Sequence, residues 1–145
     1  MDYMMGHDHG WCAECGAPPI DTLTCWEQLG LLIAWEYDDL DLQAEHFLTV
    51  ASYNLQHPAP FTDDAIASLR TVFITYLNNG LTIADIRGRL GSTFAGTKRV
   101  LKDESTRRPT RRSWSMTIKD VYIPDMPTGA AARVRAWATS IGNEL

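Results

Sequence analysis

The chain has 145 residues, of which 45% are hydrophobic and 21% charged, and it carries a net charge of −5. Length and apolar fraction fit one globular domain that buries roughly two-thirds of its unfolded surface, and no apolar run approaches the ~20 residues of a membrane span. The acidic balance argues against a whole-surface nucleic-acid binder, and the three cysteines, Cys12, Cys15 and Cys25, are too few and odd in number for a disulfide-built secreted scaffold.

Residues 1–20 read as a loop, punctuated by Gly6, Gly10, Gly16, Pro18 and Pro19. The opening stretch from Met1 to His9 has neither a basic n-region nor an apolar h-region, so no signal peptide is expected and the predicted location is cytoplasmic. Thr24 followed by Glu27 forms a capping-box pattern, which predicts a helix from Thr24 to Tyr37. Its apolar residues (Trp26, Leu29, Leu31, Leu32, Ile33, Ala34, Trp35) cover nearly all faces, so the helix is expected at the centre of the core. Asp38, Asp39 and Asp41 favour the start of a second helix running to Gln56. On it Leu40, Ala44, Phe47, Leu48, Ala51 and Leu55 make one stripe, with His46, Val50, Tyr53 and His57 on an adjoining one. Pro58 ends it, because the residue before a proline is pushed out of helical geometry.

Thr62, with Asp63 and Asp64 behind it, predicts a third helix that closes at Asn78-Asn79-Gly80. A short fourth helix is expected after Thr82, where Thr82 and Asp85 repeat the cap pattern, and Thr117 with Asp120 repeats it once more. The alternation of Trp114, Met116 and Ile118 with polar residues suits a short extended stretch. Pro127 to Asn143 reads as a final amphipathic helix with Ala130, Ala131, Val134, Trp137 and Ile141 inward. The expected fold is mainly α: a small helical bundle with an N-terminal zinc-knuckle loop tied to a helical hairpin. One domain over 1–145 is predicted, with the loop over 1–20, a helical core over 21–96, a basic loop over 97–113 and a C-terminal segment and helix over 114–145.

Cys12-Ala13-Glu14-Cys15-Gly16 is a CxxC followed by glycine. Two thiolates at that spacing grip one tetrahedral zinc ion, and the glycine permits the tight turn of a knuckle. A redox CxxC instead sits at a helix N-terminus within a strand–helix unit, whereas this one precedes two prolines. Helices one and two form a hairpin turning near Asp38–Asp39, so Cys25 at the start of the first faces His57 at the end of the second. The predicted metal ligands are therefore Cys12, Cys15, Cys25 and His57. His46 lies eleven residues before His57, about 16 Å away along a straight helix, and cannot share the ion. The competing roles are a small buried hydrophobe for Cys25, a helix C-terminal cap for His57 and a hydrogen-bonded core histidine for His46. His7 and His9 offer adventitious contacts at most.

The order Cys12-x-x-Cys15-Gly16-Ala17, Cys25, then His46-Phe47-Leu48-Thr49-Val50-x-x-Tyr53-x-Leu55-Gln56-His57-Pro58 resembles an uncharacterised bacterial family, domain of unknown function 5946. Trp114-Ser115-Met116-Thr117-Ile118-x-Asp120-Val121 and Arg133-Val134-Arg135-Ala136-Trp137-Ala138 resemble its C-terminal signature. The resemblance spans essentially the whole chain and is most specific in Leu55-Gln56-His57-Pro58. It implies a small helical, zinc-binding protein with no established activity. Members usually begin nearer the CxxC, so the His7-Asp8-His9 extension is a departure.

Charge is uneven. Residues 97–112 carry seven basic residues (Lys98, Arg99, Lys102, Arg107, Arg108, Arg111, Arg112) against Asp103 and Glu104, a net +5 that leaves −10 for the remainder. Arg107, Arg108, Arg111 and Arg112 are the candidate anion-binding group; the bland reading is a solvated loop or pairing with Asp38, Asp39 and Asp41. Three functions fit these features. In the first, zinc is structural and the protein is an interaction or accessory protein, with a protein partner met through the basic segment. In the second, it is an enzyme, with a pocket around His46, Tyr53 and Gln56, or with three thiolates and a metal-bound water served by Glu14 or Glu45 as base. The third and weakest is nucleic-acid binding through knuckle and arginines. No P-loop, dinucleotide fingerprint or Ser–His–Asp order is present, so whether the chain is an enzyme stays open on sequence alone, and membrane association is not expected.

Overall fold

Side-chain caps mark the start of four of the six α-helices among the described residues. The computed structural model describes residues 11–94 and 100–145, with backbone alone over 92–94. Thr24 Oγ1 accepts from the Glu27 N–H at 3.2 Å while Glu27 Oε1 accepts from the Thr24 N–H at 2.9 Å, and α1 follows over Cys25–Ala34. Asp39 Oδ1 accepts from the Leu42 N–H and starts α2, Leu40–Ala44. α3 spans His46–Gln56. Thr62 caps α4, Asp63–Asn79, and Gly80 ends it with φ of 71°, a left-handed value that favours glycine. Thr82 and Asp85 exchange hydrogen bonds at 3.1 and 3.2 Å ahead of α5, Ile83–Phe94. α6 spans Ala130–Glu144.

The bundle closes on α6, which packs against α2, α3 and α4. Val134, Trp137, Ala138 and Ile141 are fully enclosed, together with Leu32, Leu42, Leu48 and Phe73. α4 and α6 approach closely at Gly142, where a Cβ would stand 2.9 Å from Leu77 Cδ1. One polar residue sits inside this seam. Gln56 donates from Nε2 to the Met116 carbonyl at 2.8 Å and accepts from Trp137 Nε1 at 3.2 Å. Both ends of the amide are therefore satisfied, which makes its burial tolerable.

Several expectations change. The first helix gives way after Ala34 to a 3₁₀ turn at Trp35–Asp38, and it is not central: Leu29 and Leu32 are buried but Trp26 and Leu31 are exposed. An apolar residue on every face still leaves one face to solvent when neighbours cover only the other. The second helix is broken at Glu45, whose carboxylate pairs with Arg135 of α6 through two 2.9 Å contacts. Leu40, assigned to the apolar stripe, is exposed because it lies at the hairpin corner. α5 is longer than expected, and the last helix starts at Ala130, after a turn at Gly129 with φ of 85°. No strand forms among the described residues. The 114–118 stretch leads instead into a 3₁₀ turn at Ile118–Asp120, where Asp120 Oδ2 accepts from the Thr117 N–H. No described helix is long and apolar enough to cross a membrane.

Candidate metal centre

The loop before α1 turns on itself at the CxxC. Gly16 N–H donates to the Cys12 carbonyl at 3.0 Å, Cys12 N–H to the Ala17 carbonyl at 2.9 Å, and Cys15 N–H points at Cys12 Sγ at 3.5 Å. Gly16 has φ of 75°, which a side chain would strain. This puts the Cys12 and Cys15 sulfurs on the inside of the turn. Cys25 arrives from the first residue of α1, behind the Thr24 cap, and His57 from the end of α3.

The four donor atoms all lie within 4.8 Å of one another, and Cys15, Cys25 and His57 are buried. Cys15 and Cys25 sulfurs stand 3.6 Å apart, far beyond a disulfide bond, and all three cysteines are free. A tetrahedral ion with metal–sulfur bonds of about 2.3 Å separates its sulfurs by about 3.8 Å, so the spacing suits three thiolates around one ion. The four expected ligands are brought together.

His57 is placed for both of its competing roles. Its Nδ1–H donates to the Tyr53 carbonyl at 2.7 Å, capping α3, and its ring stacks on Tyr53 with centroids 4.0 Å apart. Nε2, buried and without a hydrogen-bond partner, faces the sulfurs. A carbonyl that takes the Nδ1 proton fixes the tautomer with a free Nε2 lone pair, the usual support for a metal-binding imidazole. A buried, unpaired ring nitrogen is costly in any other role.

Charges in the cluster follow from this crowding. Hydrogen bonding from Cys15 and Cys25 pulls the Cys12 thiol well below its ordinary range, and the same contacts push Cys25 well above it. Burial works against a charged His57, but the close Cys12 and Cys15 sulfurs, with the Tyr53 carbonyl, outweigh it and raise its pKa to about 10, so a metal ion would take the place of a second ring proton. Burial, then the thiolate charges, pushes Tyr53 up. Without an ion, negative charge therefore settles on Cys12 and is opposed on Cys25, so gathering charge on all three sulfurs calls for a cation among them.

The other candidates are not gathered there. His46 Nδ1 contacts both carboxylate oxygens of Glu36 at 2.9 Å, with its side chain half-exposed, so it is hydrogen-bonded but not a core residue. His46 and Gln56 sit at opposite ends of α3, Gln56 is held by Met116 and Trp137, and Tyr53 lies on His57. His46, Tyr53 and Gln56 thus do not form one pocket. Of the two proposed bases, Glu45 is held by Arg135 and Glu14 Oε2 accepts from the Ala59 N–H at 3.3 Å. Burial pushes the Glu14 carboxyl up, partly offset by that hydrogen bond. Sequence reasoning missed Glu14 as a structural link; its position between the two knuckle cysteines was the available signal.

The basic segment meets the knuckle. Arg112 N–H donates to the Glu14 carbonyl at 2.9 Å, and the Arg111 side chain lies over Gly16, 3.6 Å from where a Cβ would stand. Arg107 and Arg108 bond to the backbone carbonyls of Lys102, Ser105 and Arg107, and the Arg112 guanidinium covers the Trp114 ring at 4.0 Å. The described hydrogen bonds of these arginines go to carbonyls, and Asp39 is engaged in capping α2. His7, His9, Lys98 and Arg99 lie outside the described residues.

A match to the family of unknown function DUF5946 covers residues 10–145. The chain belongs to that family. No curated protein and no solved structure matches it. The matched region of this DUF5946 protein begins just before Cys12, so all four cluster residues lie inside it.

Proposed function

We propose that Cys12, Cys15, Cys25 and His57 hold one structural zinc ion that ties the N-terminal loop to the helical hairpin, and that the protein serves as an interaction or accessory protein. The observation that carries the reading is the orphaned Nε2 of His57, aimed at three clustered sulfurs while Nδ1 is locked onto the Tyr53 carbonyl. Three soft sulfurs and one imidazole suit zinc better than magnesium or calcium, which prefer oxygen. Four protein ligands complete a tetrahedron and leave no position for water or substrate, which favours a structural over a catalytic ion. Tethering has a clear target: residues 11–20 contribute only Cys15 and Ala17 to the buried core.

Elemental analysis of protein purified without added zinc tests this, with one zinc per chain expected. Cobalt substitution adds a check on geometry, because a tetrahedral thiolate-rich site gives intense visible absorption. A stoichiometry near zero, or an octahedral cobalt spectrum, overturns the reading.

A further inference from the structure

Two exposed indoles flank the ligand cysteines. Trp11, 47% exposed, precedes Cys12, and Trp26, 69% exposed, follows Cys25. Arg111 and Arg112 are docked on the same knuckle through Gly16 and Glu14, and Arg108 lines a cleft of about 340 Å³ with Glu14 and Lys102. Arg108, Arg111 and Arg112 are exposed. Arg108 and Arg112 donate to backbone carbonyls, which orients their side chains, and Arg111 lies over Gly16. Exposed cations and exposed aromatic faces thus surround one knuckle, on a chain that is otherwise strongly acidic.

We propose that this face binds single-stranded nucleic acid, with Arg108, Arg111 and Arg112 on the phosphates and Trp26 and Trp11 stacking on unpaired bases. Guanidinium groups match phosphate geometry, and indoles accept any base by stacking, which a paired duplex does not offer. That requirement separates the occupant from an acidic peptide, which would use the arginines and leave the indoles idle. The acidic remainder repels a polyanion everywhere else and so confines it to this face. Trp26 leans on Tyr53 with ring centroids 6.0 Å apart at 59°, and Tyr53 stacks on His57, so the metal cluster buttresses the stacking platform. Dependence on the ion rests on the metal-site reading above; the surface itself does not.

Fluorescence anisotropy with a labelled oligothymidylate of roughly 15 nucleotides tests the proposal, alongside elemental analysis of the same protein. Binding is expected at low salt. Three or four phosphate contacts to a single strand should weaken it about 20- to 50-fold between roughly 50 and 200 mM salt. Arg111→Ala with Arg112→Ala should cost about 10-fold or more at low salt, and Trp26→Ala about 5-fold or more, with quenching of indole emission lost. Circular dichroism and metal content of each variant show that it is folded. No binding by metal-loaded protein at tens of micromolar overturns the proposal. So does equal affinity for the duplex, or insensitivity to Trp26→Ala with polyglutamate competing as well as the oligonucleotide. Binding by protein that holds no metal would leave the surface standing and sink the metal reading instead.

Discussion

Gln56 and His57 are neighbours in the chain and belong to two differently built regions. Gln56 points into the seam between α3 and α6, where its amide is satisfied at both ends and enclosed by apolar packing. His57 points to the knuckle, where one ring nitrogen is satisfied and the other faces three sulfurs. The seam is held by burial. The knuckle has few buried apolar residues and needs another source of free energy. Side-chain satisfaction therefore separates these two polar residues, where burial does not, since both are buried.

Removing a ligand should expose that difference most strongly. Peptide sites of this donor type bind zinc with about 10–16 kcal/mol, and Cys15→Ser should forfeit most of it. Metal content should fall to near zero while far-UV circular dichroism keeps most of its helical signal. Hydrogen exchange should quicken in residues 11–20 and 107–113 and stay slow in α3 and α6. A simultaneous loss of all helices on chelation would show that the two regions fold as one. On the seam side, Trp137→Ala should destabilise the helical transition by about 3–5 kcal/mol in denaturant, because it opens a cavity where relaxation is limited. Folded Trp137→Ala protein should still hold metal.

Smaller changes sharpen the comparison. Gln56→Ala strands the Met116 carbonyl and Trp137 Nε1, at a cost of about 1–3 kcal/mol, with metal content unchanged. His57→Ala should show the reverse pattern, with metal lost and a smaller shift of the helical transition. The smallest effect lies at the end of α6. Hydrogen bonds from Ser115 hold the Glu144 carboxyl below its ordinary 4.5. A depressed carboxylate contributes stability that is present above pH 4.5 and lost as the pH falls through its folded value. Glu144→Gln should remove a shallow acid-side slope in thermal midpoint; an unchanged slope would assign it to other groups. Glu144 meets solvent at the end of α6, which keeps the effect slight.

Short-range chemistry was readable from the residues alone. Thr24 with Glu27 and Thr82 with Asp85 are caps in the structure because a side chain reaches only three residues along its own helix. The convergence of Cys25 and His57 followed from hairpin geometry, which depends on rise per residue and the place of the turn. The break at Glu45 was not readable, since it coincides with Arg135, ninety positions away. Nor was the exposure of Trp26 and Leu31, because periodicity reports which residues are apolar and not how many neighbours arrive to cover them.

The sequence by itself marked Cys12, Cys15, Cys25 and His57 as a candidate group, the capped helix starts and the helical character, all from residue type and regular spacing along the chain. Only the tertiary structure decided that Gln56 bridges Met116 and Trp137, that His46 turns to Glu36, and that the basic segment seats on the knuckle. Those contacts join residues ten to about a hundred positions apart. Their partners are selected by how the helices pack, and no local pattern encodes that choice.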